Sequence, residues 1–254
     1  MASLLTVAMC AVLALTAHTA LGALAAAVVL MQLVLAGAGF ARPVPSPSTA
    51  MVVVAVGSVG ATALSLFPHA LESAGRSGIT STTLSDGTLD GIAPGVAAIL
   101  LGGLLREMLR RDGRAGLVAS LTAVVSVGVM AVLMSTWVAQ RQSFEGAGVI
   151  LVAASGLAIS ALCWSLPGPR PVAMAACLVL GGVAGGLVCV VASATPDWTF
   201  GLALGFTAGL LTIAARTAAE AWTPDVSARI GLEALLPLAM MAPPAYILAR
   251  VFVF

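Results

Sequence analysis

The sequence predicts an all-α fold: a polytopic transmembrane helical bundle of about nine spans, forming one integral-membrane domain over residues 1–254. The first observation is composition, because 60% of the residues are hydrophobic, only 8% are charged and the mean hydropathy is +1.11. Soluble domains carry roughly 25% charged residues, so this surface suits lipid. The second observation is a series of apolar runs of about 20 residues, the length that crosses a hydrocarbon core.

Short polar, proline-rich or glycine-rich breaks separate these runs and place the spans in order. Residues 2–40 form one apolar run whose single helix would be about 58 Å long, so we place a turn near His18. The predicted spans are 2–16, 21–40, 51–68, 92–109, 116–138, 146–166, 172–191, 199–215 and 230–251. They use roughly 180 residues, which leaves no room for a soluble catalytic or nucleotide-binding domain.

Arginine fixes the predicted orientation, because the chain contains no lysine. Eight arginines fall in alternate loops on one side, and three fall on the other: Arg42, Arg106, Arg110, Arg111, Arg114, Arg170, Arg216 and Arg229 against Arg76, Arg141 and Arg250. The positive-inside rule makes the first side cytoplasmic, with the N-terminus inside and the C-terminus outside. Abundant Arg, Ala and Gly without Lys or Asn are typical of a GC-rich bacterial genome, so we expect the bacterial plasma membrane.

Two pairs of spans share a pattern that indicates an internal repeat. The same Arg-Pro-Val motif opens the third and the seventh span, at residues 42–44 and 170–172. Four residues of the fourth span recur at the same spacing in the eighth: Gly95, Ala98, Leu101 and Arg106 match Gly205, Ala208, Leu211 and Arg216. This predicts a tandem duplication of spans 1–4 as spans 5–8, with the ninth span added. Chance similarity in a chain built from few residue types is the alternative.

Glycines at four-residue spacing indicate close helix packing in the seventh and eighth spans. Small residues at this spacing let two helix backbones approach each other inside a membrane. The predicted packing residues are Gly181, Gly182, Gly185, Gly186, Gly201, Gly205 and Gly209. They form either the rigid centre of the bundle or a docking face for a partner.

The ninth span is the predicted functional element. It contains Pro237 and the pair Pro243-Pro244, each of which removes a backbone donor, and Glu233 lies near its cytoplasmic end. Interrupted helices are where transporters often build binding sites. The alternative is a simple proline kink. The other charged residues fall at span ends or in loops, where we expect Arg106 and its neighbours to lie among lipid headgroups.

Few other residues suggest chemistry, and we predict no catalytic residue, no cofactor and no metal. The four cysteines all lie inside apolar runs without a CxxC pair, which is typical of small buried side chains: Cys10, Cys163, Cys177 and Cys189. His18 and His69 are the only histidines, and both fall at the predicted outer face. They are a weak candidate pair for haem or metal ligation, because no carboxylate or cysteine lies beside them.

These observations favour a non-enzymatic membrane protein, either a subunit of a larger membrane assembly or a transporter-type bundle for a small or lipidic solute. The alternative is an integral-membrane enzyme acting on a lipid, which requires converging acids, bases or nucleophiles. The expected partners are the lipid bilayer and other membrane subunits or a second copy of the chain. A net charge of +1 argues against nucleic acid.

The predicted topology is testable by cysteine labelling in intact cells. An introduced cysteine at Asp112 should react only with reagent supplied from the cytoplasm, and one at Thr82 only with reagent supplied from outside. Reaction of both positions from the same side would exclude the nine-span arrangement.

Overall fold

The structure is a computed structural model, and it describes residues 1–40, 47–67, 89, 91–110, 116–143, 145–192, 197–223 and 225–253. All regular secondary structure in these ranges is helical. The helices are α1 (Ala2–Thr19), α2 (Leu21–Gly39), α3 (Pro47–Leu66), α4 (Ile92–Leu109), α5 (Leu117–Leu133), α6 (Thr136–Gln142), α7 (Gly146–Trp164), α8 (Arg170–Val191), α9 (Trp198–Trp222) and α10 (Val226–Val253). The two labelling positions, 82 and 112, and His69 lie outside the described residues.

Nine helical segments of the described chain are long and apolar enough to cross a membrane, with α5 and α6 counted as one segment. This confirms the prediction of an all-α, multi-pass membrane protein. The helices begin and end close to the predicted positions for most spans, because the length of an apolar run is a local property of the sequence. The direction in which the chain crosses the membrane stays a prediction.

The fifth predicted span differs from expectation, because the structure divides it into α5 and α6. A turn at Met134 and Ser135 separates the two helices. The Ser135 hydroxyl and backbone N–H both donate to the Val132 carbonyl, at 2.7 and 2.9 Å, which satisfies that carbonyl inside the membrane. The turn also directs the buried Trp137 towards α10, where its indole N–H donates to the Leu238 carbonyl at 3.1 Å.

The last two spans are longer than predicted, and α10 stays helical through its prolines. The helix is continuous from Val226 to Val253 although Pro237, Pro243 and Pro244 lie inside it. An interrupted span would require the helix to end at the prolines, and α10 does not end there. Neighbouring helices pack along its middle, and the Trp137 bond to α10 lies five residues before Pro243.

The helices are arranged as two triplets with four helices between them. One triplet comprises α3, α4 and α5, and the other comprises α7, α8 and α9; within each triplet all three helices contact one another. The helix α10 contacts α2, α5 and α6 on one side and α1, α7 and α9 on the other. Both α10 and the short α6 therefore contact members of both triplets, and α10 makes the broader contact because it touches six other helices.

Backbone contact at glycines holds the second triplet together. A Cβ added at Gly205 would overlap the Gly181 carbonyl oxygen, and one added at Gly201 would lie 2.6 Å from the Gly185 carbonyl oxygen. At Gly209, the same addition would lie 2.5 Å from a carbonyl oxygen of α8. Five predicted packing glycines therefore meet backbone across the α8–α9 contact: Gly181, Gly185, Gly201, Gly205 and Gly209.

The remaining two glycines of that prediction have more space. A Cβ added at Gly182 would lie 3.6 Å from the nearest atom, a backbone oxygen. A Cβ added at Gly186 would lie 3.1 Å from a side-chain atom of Leu202 and 3.6 Å from the nearest backbone atom. The α8–α9 contact is also shared with α7, since a Cβ added at Gly156 would lie 3.0 Å from the Gly205 Cα. Gly205 of α9 therefore meets the backbone of α8 and a glycine of α7.

A buried glutamine joins the first triplet to α2. The Gln32 side-chain amide donates to the Thr62 hydroxyl of α3 and to the Ala131 carbonyl of α5, both at 2.9 Å. Thr62 in turn donates to the Ser58 carbonyl at 3.1 Å. A polar side chain surrounded by apolar helices requires such partners, and here it fixes three helices relative to one another.

Substitution at Gly205 tests the glycine contact. Gly205→Leu should lower the stability of the protein in detergent by at least about 2 kcal/mol, because the larger side chain forces α8 away from α9. Gly60→Leu is the matched control, since a Cβ at that helical glycine meets nothing within 4 Å. Equal melting temperatures for the two variants would show that the backbone contact contributes little.

Candidate functional site

In the described residues, two clusters of charged side chains lie near helix ends. One is at the end of α4, and the other is formed by the end of α9 and the beginning of α10. The first, the α4 cluster, consists of Arg106, Glu107 and Arg110 of α4 with Ser120 of α5. Arg106 pairs with the Glu107 carboxylate, and Arg110 Nη1 lies 2.6 Å from Glu107 Oε2. Ser120 donates to Glu107 Oε1 at 2.6 Å, and Arg106 Nη1 donates to the Ser120 hydroxyl at 3.0 Å.

Burial of the α4 cluster differs from the expectation that its charges lie among lipid headgroups. The side chains of Arg106 and Glu107 are only 6% and 3% exposed. Arg106 Nε also donates to Thr49 of α3 at 3.0 Å, so α3, α4 and α5 all contribute to the cluster. A buried charge is tolerated when opposite charges and hydrogen bonds surround it. The α4 cluster is therefore a structural tie within the first triplet.

The second cluster, the cleft cluster, is formed by α9 and α10 and consists of Arg216, Glu220, Arg229 and Glu233. Arg229 Nε lies 2.6 Å from Glu233 Oε1, and Arg229 Nη2 lies 3.4 Å from Glu220 Oε1. Arg216 Nη1 is 3.6 Å from Glu233 Oε2. Outside this cluster, the exposed Arg170 of α8 pairs with Glu220 at 2.7 Å.

The start of α10 positions two members of the cleft cluster. Asp225 precedes the helix, and its Oδ2 accepts hydrogen bonds from the Ser227 hydroxyl at 2.9 Å and the Ala228 N–H at 3.3 Å. This arrangement satisfies a free donor of the first turn. The Ser227 hydroxyl and then the Ala228 N–H lower the pKa of the Asp225 carboxyl. Arg229 and Glu233 follow one turn apart on the same face of α10.

Arg216 differs from Arg106 because part of its guanidinium has no partner. Its side chain is 3% exposed, and in the described part of the chain its Nε and Nη2 atoms are buried without a hydrogen-bond acceptor. Buried polar atoms are nearly always hydrogen-bonded in proteins, so each exception requires an explanation. Arg216 lies six residues before the end of α9, about 9 Å along the helix.

A cleft of about 460 Å³ opens beside Arg216, between the beginnings of α1 and α10 and the ends of α7 and α9. Its charged lining residues are Arg216, Arg229 and Glu233. Ser3 and Trp164 also line it, so the cleft combines polar and apolar surface.

The structure places the predicted functional residues at different depths of α10. Glu233 lines the cleft, whereas Pro237, Pro243 and Pro244 lie further along the helix and do not line it. Pro237 is buried, and the other two prolines are half-buried. Glu233 is only 9% exposed, and its carboxylate lies 2.6 Å from Arg229 and 3.6 Å from Arg216.

The other candidate ligands of the sequence do not form a site in the described residues. His18 is exposed at the end of α1, and no group of three or more His, Cys, Asp and Glu side chains within the described ranges is placed to hold a metal. All four cysteines are buried and free. Cys177, for example, donates to the Ser160 carbonyl at 3.1 Å, while Ser160 donates back to the Cys177 carbonyl.

Arg216 and Gln32 are the residues that sequence reasoning missed. Two signals existed for Arg216. The repeat aligns it with Arg106, and it lies more than one turn before Trp222, inside a continuous helix rather than at its end. Gln32 is a lone amide in an otherwise apolar run, which is itself an indication of a polar contact between helices. None of these signals identifies the partner, because the partners lie on other helices.

The chain matches no protein-family model, and no curated protein or solved structure is significantly similar to it.

The α4 cluster can be tested by removing its central carboxylate. Glu107→Gln should destabilise the protein by about 3–5 kcal/mol, because it removes the buried carboxylate that pairs with both Arg106 and Arg110. Arg170→Gln is the control, since Arg170 is 73% exposed and such pairs contribute roughly 0–1 kcal/mol. Thermal unfolding of both variants in one detergent measures the difference. A loss below about 1 kcal/mol for Glu107→Gln would contradict the structural role.

Proposed function

We propose that this protein is a non-enzymatic, transporter-type bundle for a small or lipidic solute, with its N-terminus on the cytoplasmic side of a bacterial plasma membrane. The observation that carries the proposal is the position of α10. This helix contacts members of both triplets and carries three prolines in its interior. A central helix that bends easily between two more rigid units is suited to alternating access.

The prolines weaken α10 at two levels. Each proline lacks the N–H that would bond the carbonyl four residues earlier, which is the Glu233 carbonyl for Pro237 and the Ala239 carbonyl for Pro243. Pro244 removes the next bond in succession. Consecutive missing bonds concentrate flexibility in the middle of the helix, close to where Trp137 of α6 contacts it.

The two triplets have the close packing that rigid units require. In the second triplet, backbones meet at Gly181 and Gly205, where an added Cβ on Gly181 would lie 2.9 Å from the Gly205 oxygen. In the first triplet, a Cβ added at Gly57 would lie 3.3 Å from the Gly95 oxygen and 2.5 Å from a side-chain atom of Ile99. Both contacts leave little freedom for one helix to slide on its neighbour.

These contacts also support the proposed 4+4 repeat. The contact between Gly57 and Gly95 corresponds to that between Gly181 and Gly205, since Gly95 and Gly205 are the residues aligned by sequence. Arg106 and Arg216 occupy matching positions on α4 and α9, and both are buried. A duplicated unit repeated in the same direction occurs among transporters, and α10 would then be the ninth span added to the two units. The units of this repeat differ from the triplets, because α5 belongs to the second unit but packs in the first triplet.

The alternative function, an enzyme acting on lipid, needs a free acid, base or nucleophile near the substrate. Around the cleft, Glu220 and Glu233 are both paired with arginines. A role as a subunit of a larger assembly is separated from transport by purification from native membranes. Stoichiometric recovery of a second protein would favour the subunit.

Replacing two prolines of α10 tests the proposal. Spin labels on cysteines introduced at two exposed positions report the distance between the triplets: Leu109 is the last residue of α4, and Leu166 lies two residues after the end of α7. In lipid nanodiscs, double electron–electron resonance should give two distance populations for the parent protein. The Pro243→Ala, Pro244→Ala variant should give one, because the restored hydrogen bonds favour the straight helix.

Pro171→Ala is the matched control. Pro171 lies in the first turn of α8, where no intrahelical bond is lost, so its removal should preserve both populations. The double variant should also melt at an equal or higher temperature than the parent protein, which separates a lost motion from a lost fold. A single, unchanged distance in all three proteins would contradict a moving α10.

A further inference from the structure

The unpartnered edge of Arg216 points to a ligand. Its Nε and Nη2 nitrogens lie on the same edge of the planar guanidinium and donate in parallel directions, a spacing that matches two oxygens of one phosphate or carboxylate. In the described residues both atoms are buried without an acceptor, while Nη1 lies towards Glu233. Glu233 therefore leaves the bidentate edge of Arg216 without an acceptor, and Arg216 is one of the residues that line the cleft.

We propose that the cleft binds the oxyanion of a monoanionic lipid, with two of its oxygens accepting from Arg216 Nε–H and Nη2–H. The proposal rests on the cleft alone and does not depend on movement of α10. The side chain is 3% exposed, and a buried cation with unsatisfied donors is costly unless an anion joins it. An oxyanion in the cleft supplies both the charge and the acceptors that the protein lacks there.

The charge of the cleft favours an anionic ligand. Its lining side chains include two cations, Arg216 and Arg229, and one anion, Glu233, and Met1 with its amino group also lines it. A phosphodiester headgroup such as that of phosphatidylglycerol carries one negative charge and offers two equivalent oxygens. A second negative charge on the ligand would be repelled by the Glu233 carboxylate, which lies 3.6 Å from Arg216 Nη1.

The rim of the cleft favours a lipid over a soluble anion. Val226 is 68% exposed beside the cleft, and Ile230 and Trp164 line it. These apolar side chains lie at the ends of helices apolar enough to span a membrane. Acyl chains can therefore pack on the rim while the headgroup reaches Arg216, and tryptophan is a common residue at this level of a bilayer.

Lipid retention by the full chain tests the proposal. The purified protein, stripped of lipid in neutral detergent, is given dioleoylphosphatidylglycerol or dioleoylphosphatidylcholine and examined by native mass spectrometry and thermal unfolding. The parent protein should retain one phosphatidylglycerol in preference to phosphatidylcholine and melt at a higher temperature with it. Equal retention of the two lipids by the parent protein overturns the proposal, whatever the variants do.

Variants of Arg216 assign the site. Arg216→Gln and Arg216→Lys should each weaken phosphatidylglycerol binding about 10- to 100-fold, because lysine keeps the charge but lacks the two-donor edge. Arg170→Gln, which removes an exposed arginine that does not line the cleft, should bind as the parent does. Undiminished binding by Arg216→Gln overturns the assignment.

Inorganic phosphate distinguishes the source of the oxyanion. Under the proposal, millimolar phosphate alone should leave the melting temperature unchanged, since it lacks the chains that pack on the apolar rim. A stabilisation by phosphate that equals that by phosphatidylglycerol and disappears in Arg216→Gln would show a soluble oxyanion site, which overturns the lipid assignment. Neither outcome depends on the distance populations that test α10.

Discussion

The close contact between the backbones of α8 and α9 is the interaction on which the second half of the protein depends. Lipid removes the hydrophobic drive that brings helices together in water, so packing and hydrogen bonds must replace it. At Gly181 and Gly205 the two helices approach until no side chain fits between them. The helix α7 joins the same contact through Gly156, which gives one compact unit of three helices.

The two charge clusters differ in how completely their buried charges are paired. In the α4 cluster, Arg106 meets a carboxylate and two hydroxyls, so the cluster ties three helices together. In the cleft cluster, Arg216 has an equivalent place on its helix but keeps two donors without acceptors. Buried charges whose hydrogen-bonding atoms all have partners stabilise a membrane bundle. A buried cation that lacks acceptors beside a cleft can instead take a ligand.

The helix α10 connects these features. Its first turns carry Arg229 and Glu233 to the cleft, and its middle carries the prolines between the triplets. A ligand that contacts Arg216 would also lie near Glu233, in the first turns of the helix whose middle carries Pro243 and Pro244. This places the proposed binding site and the proposed moving element on one continuous segment.

The sequence by itself determined the all-α class, the number of apolar helices and the stripe of glycines from Gly181 to Gly209. Each of these depends on residues close together in the chain, such as the length of an apolar run or a four-residue spacing. Only the tertiary structure decided that α5 ends at a turn before Trp137, that α10 is central, and that Arg106 is satisfied while Arg216 is not. The physical reason is that the burial and pairing of a charge depend on partners from other helices, and those partners are fixed only when the helices pack.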